Sequence, residues 1–529
     1  MRRLLIGALA TVVLAAFAPS GHSALPTLAL VRVHVESDAQ AAYLMNNFDE
    51  SHNHSPGEIE LVLWPGDRLA LDRLGYTYEV VTNDLVARDR ALAAGPHPLQ
   101  RLPGPDYDDY RRLADYNAEM VALAKDNPGL VKRFEMPRPS LEGRSIYGLE
   151  IAANVKRADG RPIFYIDALH HAREWPASEF TMIYAHHLAE SFGKDPKITS
   201  LLKKARVILV PIVNVDGFNY SRESVLSVNQ PARDATELMA AGNGFEGYWR
   251  KNRRSLTGVT IPGAQANPDA YGVDPNRNYA FLWGDQQNGS SGSQVNQTYR
   301  GEAPFSEPEV ANVRDLILGR SVTGVITNHT VQATVLRAGG GEAPDEGMLV
   351  KLGQEMADLL TFENNPSVGY PTTGTTDDWA YAATGALGFT IEHGGSGFHC
   401  AYEECVGTPT ARTMKAFTVM LEASADPRYH SVITGRVASG AAKLTLTKTF
   451  KTPLSEGNPL GQEFVTEKIK MSIPTASDGS FEWHVGQSNR PYVKGIEYYT
   501  LTITADGATK KMKITVDRGV HLDLGKIGL

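Results

Sequence analysis

The sequence predicts an α/β fold with a mixed central sheet and helices on both faces. A small α+β unit precedes it and a β-sandwich follows. Three observations carry this. Between residues 107 and 425, β-rich apolar runs alternate with long amphipathic stretches, the pattern of a sheet layered with helices. From about residue 430 the texture changes to short alternating runs punctuated by Gly, Pro, Ser and Asp, as in a sandwich of about 100 residues. Residues 25–90 read strand, helix, strand, helix, strand, which suggests a compact α+β unit.

At 529 residues the chain is long enough for several domains. Apolar content of 42% and charged content of 21% are those of a soluble globular protein. A net charge of −8 gives no reason to expect nucleic acid or an anionic membrane as partner.

In chain order, Met1-Arg2-Arg3 followed by the apolar run 4–18 reads as an export signal ending near Ala24, too short for a membrane span. No later segment is apolar for long enough to span. The expected product is exported, extracellular or periplasmic, soluble and monomeric. In the 25–90 unit, residues 30–35, 59–64 and 76–81 are strand candidates, with a helix before the second and another at 67–74. Residues 91–106 carry Ala, Gly, Pro and Arg101 and read as an exposed linker.

In the main domain, 145–151, 163–168, 206–213, 324–328 and 388–391 are strand candidates, and 307–318 and 348–362 are helical. In the last 100 residues the candidates are 432–437, 443–449, 468–473, 481–485, 498–504 and 510–516. Cys400 and Cys405 stand close together after a Gly-rich loop, and in an exported chain a local disulfide is favoured over two free thiols.

Chemistry concentrates at Leu169-His170-His171-Ala172-Arg173-Glu174-Trp175, where a buried-type strand gives way to a helix over 176–192. Strand ends of this kind place ligand sites in open α/β sheets. His171 and Glu174 offer an imidazole nitrogen and a carboxylate oxygen that suit Zn(II). The spacing alone is weak: His187 and Glu190 share it inside the helix, where they read as a solvated face.

The stretch 169–175 resembles the first zinc-binding motif of the zinc carboxypeptidases of the A/B type. Four further motifs resemble that family in the same order: Pro211-Ile212-Val213-Asn214-Val215-Asp216-Gly217, Tyr248-Trp249-Arg250-Lys251-Asn252-Arg253-Arg254, Gly272-Val273-Asp274-Pro275-Asn276-Arg277-Asn278 and Gly374-Thr375-Thr376-Asp377-Asp378-Trp379 through Glu392. The resemblance implies one zinc per chain, held by His171, Glu174 and His329, the last at the end of another apolar run. It implies Glu392 as general base and Arg250 as oxyanion stabiliser. Arg277 and Asn276 would hold the substrate's terminal carboxylate, Arg173 would help hold the substrate, and Tyr370 would cap it. Thr330-Val331 departs from the Ser-Tyr common after this His in digestive members. Tyr299-Arg300-Gly301 and Ser306-Glu307-Pro308-Glu309 are family-like and read as structural.

The substrate so implied is a peptide or protein C-terminus. Asp377 falls where B-like members carry an Asp facing a basic side chain, so a preference for Lys or Arg is expected; otherwise Asp377 turns away and caps a loop. Residues 25–90 occupy the position of the family's propeptide, which implies a zymogen; otherwise they form an accessory domain that stays attached. Two rivals stand beside this reading: a peptidase of the same fold acting on cell-wall peptides, and an inactive binding scaffold. A serine hydrolase is disfavoured, because no G-x-S-x-G elbow is evident.

Overall fold

The structure, a computed structural model, describes residues 27–529 except 56, 65, 94–109, 229–244, 256–271, 286–288 and 368–370. The export signal, most of the linker and Tyr370 therefore lie outside the described residues.

The first unit is a four-stranded antiparallel sheet, β1 (Ala29–His34), β2 (Asp49–Ser55), β3 (Glu58–Leu63) and β4 (Tyr78–Thr82), in the order β2-β3-β1-β4. Alternate residues of β1 and β3, such as Val31, Val33, Ile59 and Leu61, enter its small core. Their neighbours Leu30 and Val62 pack in a second cluster with Tyr248 and Phe398 of the main domain. The period of two thus supplies both the unit's own core and its docking face.

The central sheet has eight strands: β5 (Val131–Glu135), β6 (Tyr147–Ile151), β7 (Ile163–Ala168), β8 (Arg206–Val210), β9 (Val322–Val331), β10 (Thr334–Arg337), β11 (Glu363–Asn365) and β12 (Leu387–Gly394). Their order is β11-β10-β12-β9-β7-β8-β6-β5. The four middle strands are parallel, with antiparallel partners outside them. Strands β7 and β8 are buried at every residue, as expected of apolar runs covered on both faces. The helix Trp175–Ser191, with Pro176 in its first turn, follows the end of β7.

The register fixes the site. Ala168, the last residue of β7, is level with Asn328 of β9, and His329 pairs with Glu392 of β12. Cross-strand neighbours project to the same face. The carboxyl ends of three adjacent parallel strands therefore converge in one crevice.

The C-terminal part forms two sheets. Strands β13 (Ser431–Val437), β16 (Ser480–Val485) and β19 (His521–Ile527) make one; β14 (Lys443–Pro453), β15 (Phe464–Pro474), β17 (Tyr499–Ala505) and β18 (Ala508–Ile514) make the other. β14 and β15 alternate buried and exposed residues along most of their length. Their buried side chains belong to the same continuous core as the central sheet. No described helix is long and apolar enough to cross a membrane.

Candidate active site

Beyond β7 the backbone turns at Leu169, a buried residue with φ of 56°, the left-handed region that branched side chains rarely adopt. The turn is braced from two sides. Asn214 donates its backbone N–H to the Leu169 carbonyl and its amide to the carbonyls of His170 and Lys251, and Ala172 donates to the Arg250 carbonyl. The second and third motifs thus hold the first in place.

The two adjacent histidines diverge. His170 contacts the Tyr279 and Thr376 hydroxyls, each at 2.9 Å, inside the core. His171 turns to the crevice, where its Nδ1 lies 2.7 Å from Glu174 Oε1. His329 Nδ1 lies 2.9 Å from Glu174 Oε2 and 3.1 Å from His171 Nδ1. Among the described residues this is the one His/Cys/Asp/Glu group able to hold a metal ion. With metal–ligand bonds of about 2.0–2.1 Å, tetrahedral ligand atoms lie roughly 3.3 Å apart. Two imidazole nitrogens and a carboxylate facing one point at slightly shorter spacing fit zinc. Burial, then the charge of Arg250, lowers the pKa of His171 to about 4 and of His329 to about 3, which keeps both rings neutral and able to ligate.

Asp274 orients this set. Its Oδ1 is 3.1 Å from His171 Nε2, the carboxylate–histidine arrangement that fixes a ligand's tautomer. It also accepts the Asn276 N–H, while its Oδ2 receives Arg250 Nε and Nη2. Burial alone would raise this carboxyl, but Arg250 and His171 hold it well below the usual range. Arg250 thereby stays beside the metal cluster, with Nη1 4.0 Å from Glu174. Glu392 is buried next to His329 in register. Burial, then the charges of Glu174 and Glu50, pushes its pKa well above the carboxylate range, against Arg250 and Arg277.

These side chains open onto a cavity of about 670 Å³ lined by His171, Asn276, Arg277, Asp377, Asp378 and Glu392 among others. Arg277 donates Nη1 to the Asn276 carbonyl, and its buried Nε has no hydrogen-bond partner among the described residues. The Asn276 side-chain Oδ1 accepts from the Thr376 N–H and hydroxyl, which turns its NH2 toward His329 Nε2 at 3.3 Å.

Residues 116–410 match the sequence profile of the family described as zinc carboxypeptidase, more than half of the chain. The chain belongs to the zinc carboxypeptidase family. That is a family of peptide hydrolases. Among curated proteins it is 26% identical over 305 residues to carboxypeptidase B of Homo sapiens, covering 55% of this chain and 64% of that protein. It is 27% identical over 347 residues to carboxypeptidase A2 of Mus musculus, covering 63% and 74%. The chain thus spans slightly less than two thirds of one relative and about three quarters of the other. A crystal structure of the carboxypeptidase A from Helicoverpa armigera shares the fold, with a TM-score of 0.62, 22% identity, and coverage of 76% of this chain and 99% of that one.

Within this zinc carboxypeptidase-family site, Arg173 is engaged elsewhere. Its Nη1 and Nη2 make a two-pronged pair with Asp49 of β2 at 2.6 and 2.7 Å, and Nη2 also donates to the Glu50 carbonyl. Asp377 and Asp378 both line the cavity. It is Asp378 that braces the loop, accepting the Gly339 N–H and the Thr375 hydroxyl. Cys400 and Cys405 are joined in a disulfide away from the cluster. Asp274 stands inside a quoted motif and was open to notice, whereas Asp49 sits in a polar segment that gives no such signal.

Proposed function

We propose that the chain is an exported, zinc-dependent carboxypeptidase that removes single residues from peptide C-termini, made as a precursor whose N-terminal domain covers the active site. The observation that carries this is the convergence of His171, Glu174 and His329 on one point, with Glu392 beside His329 on the neighbouring strand. Glu392 adds what binding alone does not require, a buried carboxylate of raised proton affinity within reach of the same point.

Bound zinc would supply Lewis acidity toward the scissile carbonyl and the attacking water. Glu392 accepts the proton of that water and returns it to the leaving amine. Arg250, held by Asp274, faces the charge that gathers on the carbonyl oxygen. Arg277 presents an unpartnered buried N–H to the terminal carboxylate, and the Asn276 amide carries a second N–H for the same group. The resemblance implies Tyr370 as the residue that caps the substrate; it lies outside the described residues.

The terminal side chain enters toward Asp377. Asp377 lines this cavity, and a carboxylate there supports a preference for Lys or Arg. The bidentate Asp49–Arg173 pair supports the covering role of the N-terminal domain, because it occupies a guanidinium assigned to substrate. Neither a cell-wall substrate nor an inactive scaffold gains support from this geometry.

Release of the last residue from peptides ending in Arg, Lys, Leu or Ala tests this, with the protein cleaved by limited proteolysis and with and without a chelator. Chelator-sensitive release led by Arg and Lys is expected. Internal cleavage, or release indifferent to chelator, would overturn the class; faster release of Leu would overturn the basic preference alone.

A further inference from the structure

Part of the cavity wall comes from outside the catalytic domain. Tyr492, in the segment joining β16 to β17, lines the same cavity as Arg277, Asp377 and Glu392. Its ring stacks on Phe281 (centroids 5.4 Å apart, planes at 19°) and meets Tyr381 edge-on at 5.9 Å. It keeps 40% of its surface exposed. Its hydroxyl rests on Gly339, where a β carbon would come within 2.4 Å of it. Gly339 is the residue whose N–H Asp378 accepts.

Two features show that this position is built. Tyr492 has φ of 65°, a strained conformation for a bulky residue and one that concentrates at sites of function. Its segment is also pinned. Arg490 forks onto Glu497 and donates to the Lys451 carbonyl, and buried Lys448 donates to the Ser488 carbonyl.

The domain carrying Tyr492 grips the pocket's own walls. Arg518 pairs with Asp345, which accepts the Tyr381 hydroxyl, and Trp379 donates to Glu467 of β15. Both aromatics lie on the helix Thr376–Thr384, which also carries Asp377 and Asp378. On the other side Leu282 donates to the Pro453 carbonyl and accepts from Ser455, next to the Phe281 that Tyr492 stacks on.

We propose that Tyr492 is a specificity-determining residue, and that the C-terminal β domain supplies an aromatic wall against which a long terminal side chain lies on its way to the Asp377–Asp378 floor. The chemistry that fits best is a flexible cationic side chain, Arg above Lys. The stem packs on the ring and the planar guanidinium gains from the ring face. This rests on the carboxypeptidase reading above, and it explains why a sandwich with no recognised catalytic cluster shares one core with the enzyme.

The test uses the zinc-loaded full chain after limited proteolysis, as wild type, Tyr492→Phe, Tyr492→Ala and Tyr492→Gly. The readout is the ratio of kcat/KM for a long terminal side chain, whichever of Arg and Leu the wild type prefers, to that for Ala. Tyr492→Ala and Tyr492→Gly are expected to lower this ratio about fivefold through KM, and Tyr492→Phe to keep it. Glycine accepts φ of 65° freely, so Tyr492→Gly should melt no lower than Tyr492→Ala and separates a lost wall from a misfolded loop. An unchanged ratio in both truncations overturns the proposal. A wild type that releases no terminal residue defeats the carboxypeptidase reading instead, before any variant is compared.

Discussion

Two adjacent carboxylates line the cavity: Asp378 accepts the Gly339 N–H and the Thr375 hydroxyl, and Asp377 is the one proposed to meet a basic side chain. Burial, then the neighbouring Asp378, pushes Asp377 up to about 7. The charged form that would attract a basic side chain therefore grows as pH rises through neutrality. We expect kcat/KM for a Lys-terminated peptide, divided by that for a Leu-terminated one, to climb several-fold between about pH 6 and pH 8. Asp377→Asn should flatten the rise. Taking the ratio cancels the titration of Glu392 and other groups common to both substrates. A ratio that stays level in the wild type would reject the ion pair.

At the scale of elements, the site is only as good as the segments that hold it. Gly374 accepts the Tyr279 N–H and donates to the Phe281 carbonyl, so it fixes the strand of chain that presents Arg277. Its φ is 70°, and a β carbon there would fall 2.5 Å from the Arg277 carbonyl oxygen. Gly374→Ala should displace that segment, raise KM by tenfold or more, and cost about 1–3 kcal/mol in a denaturation experiment. A wild-type KM would mean that Arg277 is held by other contacts.

Elements also decide what the sequence could reveal. His171, His329 and Glu392 stand at the ends of apolar runs, and such runs announce buried strands whose ends meet. β2 reads Asp-Glu-Ser-His-Asn-His-Ser, with no apolar period, and is a strand because β3 pairs with it. Asp49 was hidden for that reason. β19 is exposed along most of its length and closes its sheet by parallel pairing with β13, about 90 residues away, which local pattern cannot register. Tyr492 lies in a segment between strands, where only the folded chain shows what it faces.

Taken whole, the molecule places the catalytic sheet between two additions of different kinds. The C-terminal sheets share its core, whereas the N-terminal sheet has a separate core that takes in, from the catalytic sheet, only Leu336 of β10, and docks through a smaller apolar cluster and buried polar contacts. Those contacts include Asp49 on Arg173 and Asp89 on Tyr248 and His399. Such a pair is held tightly while complete and costs about 3–5 kcal/mol when one partner is lost, because the other charge stays buried. Asp49→Ala should thus loosen the N-terminal domain and raise peptidase activity of the uncleaved chain at least tenfold, measured beside uncleaved wild type. Equal activity would show that this contact does not restrain the enzyme.

His171, Glu174 and His329 are expected to hold one zinc, with Glu392 transferring the proton beside it. The most direct test measures bound zinc and turnover together, for proteolytically activated wild type and Glu392→Gln. The expected result is about one zinc per chain in both, with turnover lower by roughly a thousandfold in the variant. A folded wild type that binds no zinc, or a Glu392→Gln enzyme that turns over near the wild-type rate, would contradict it.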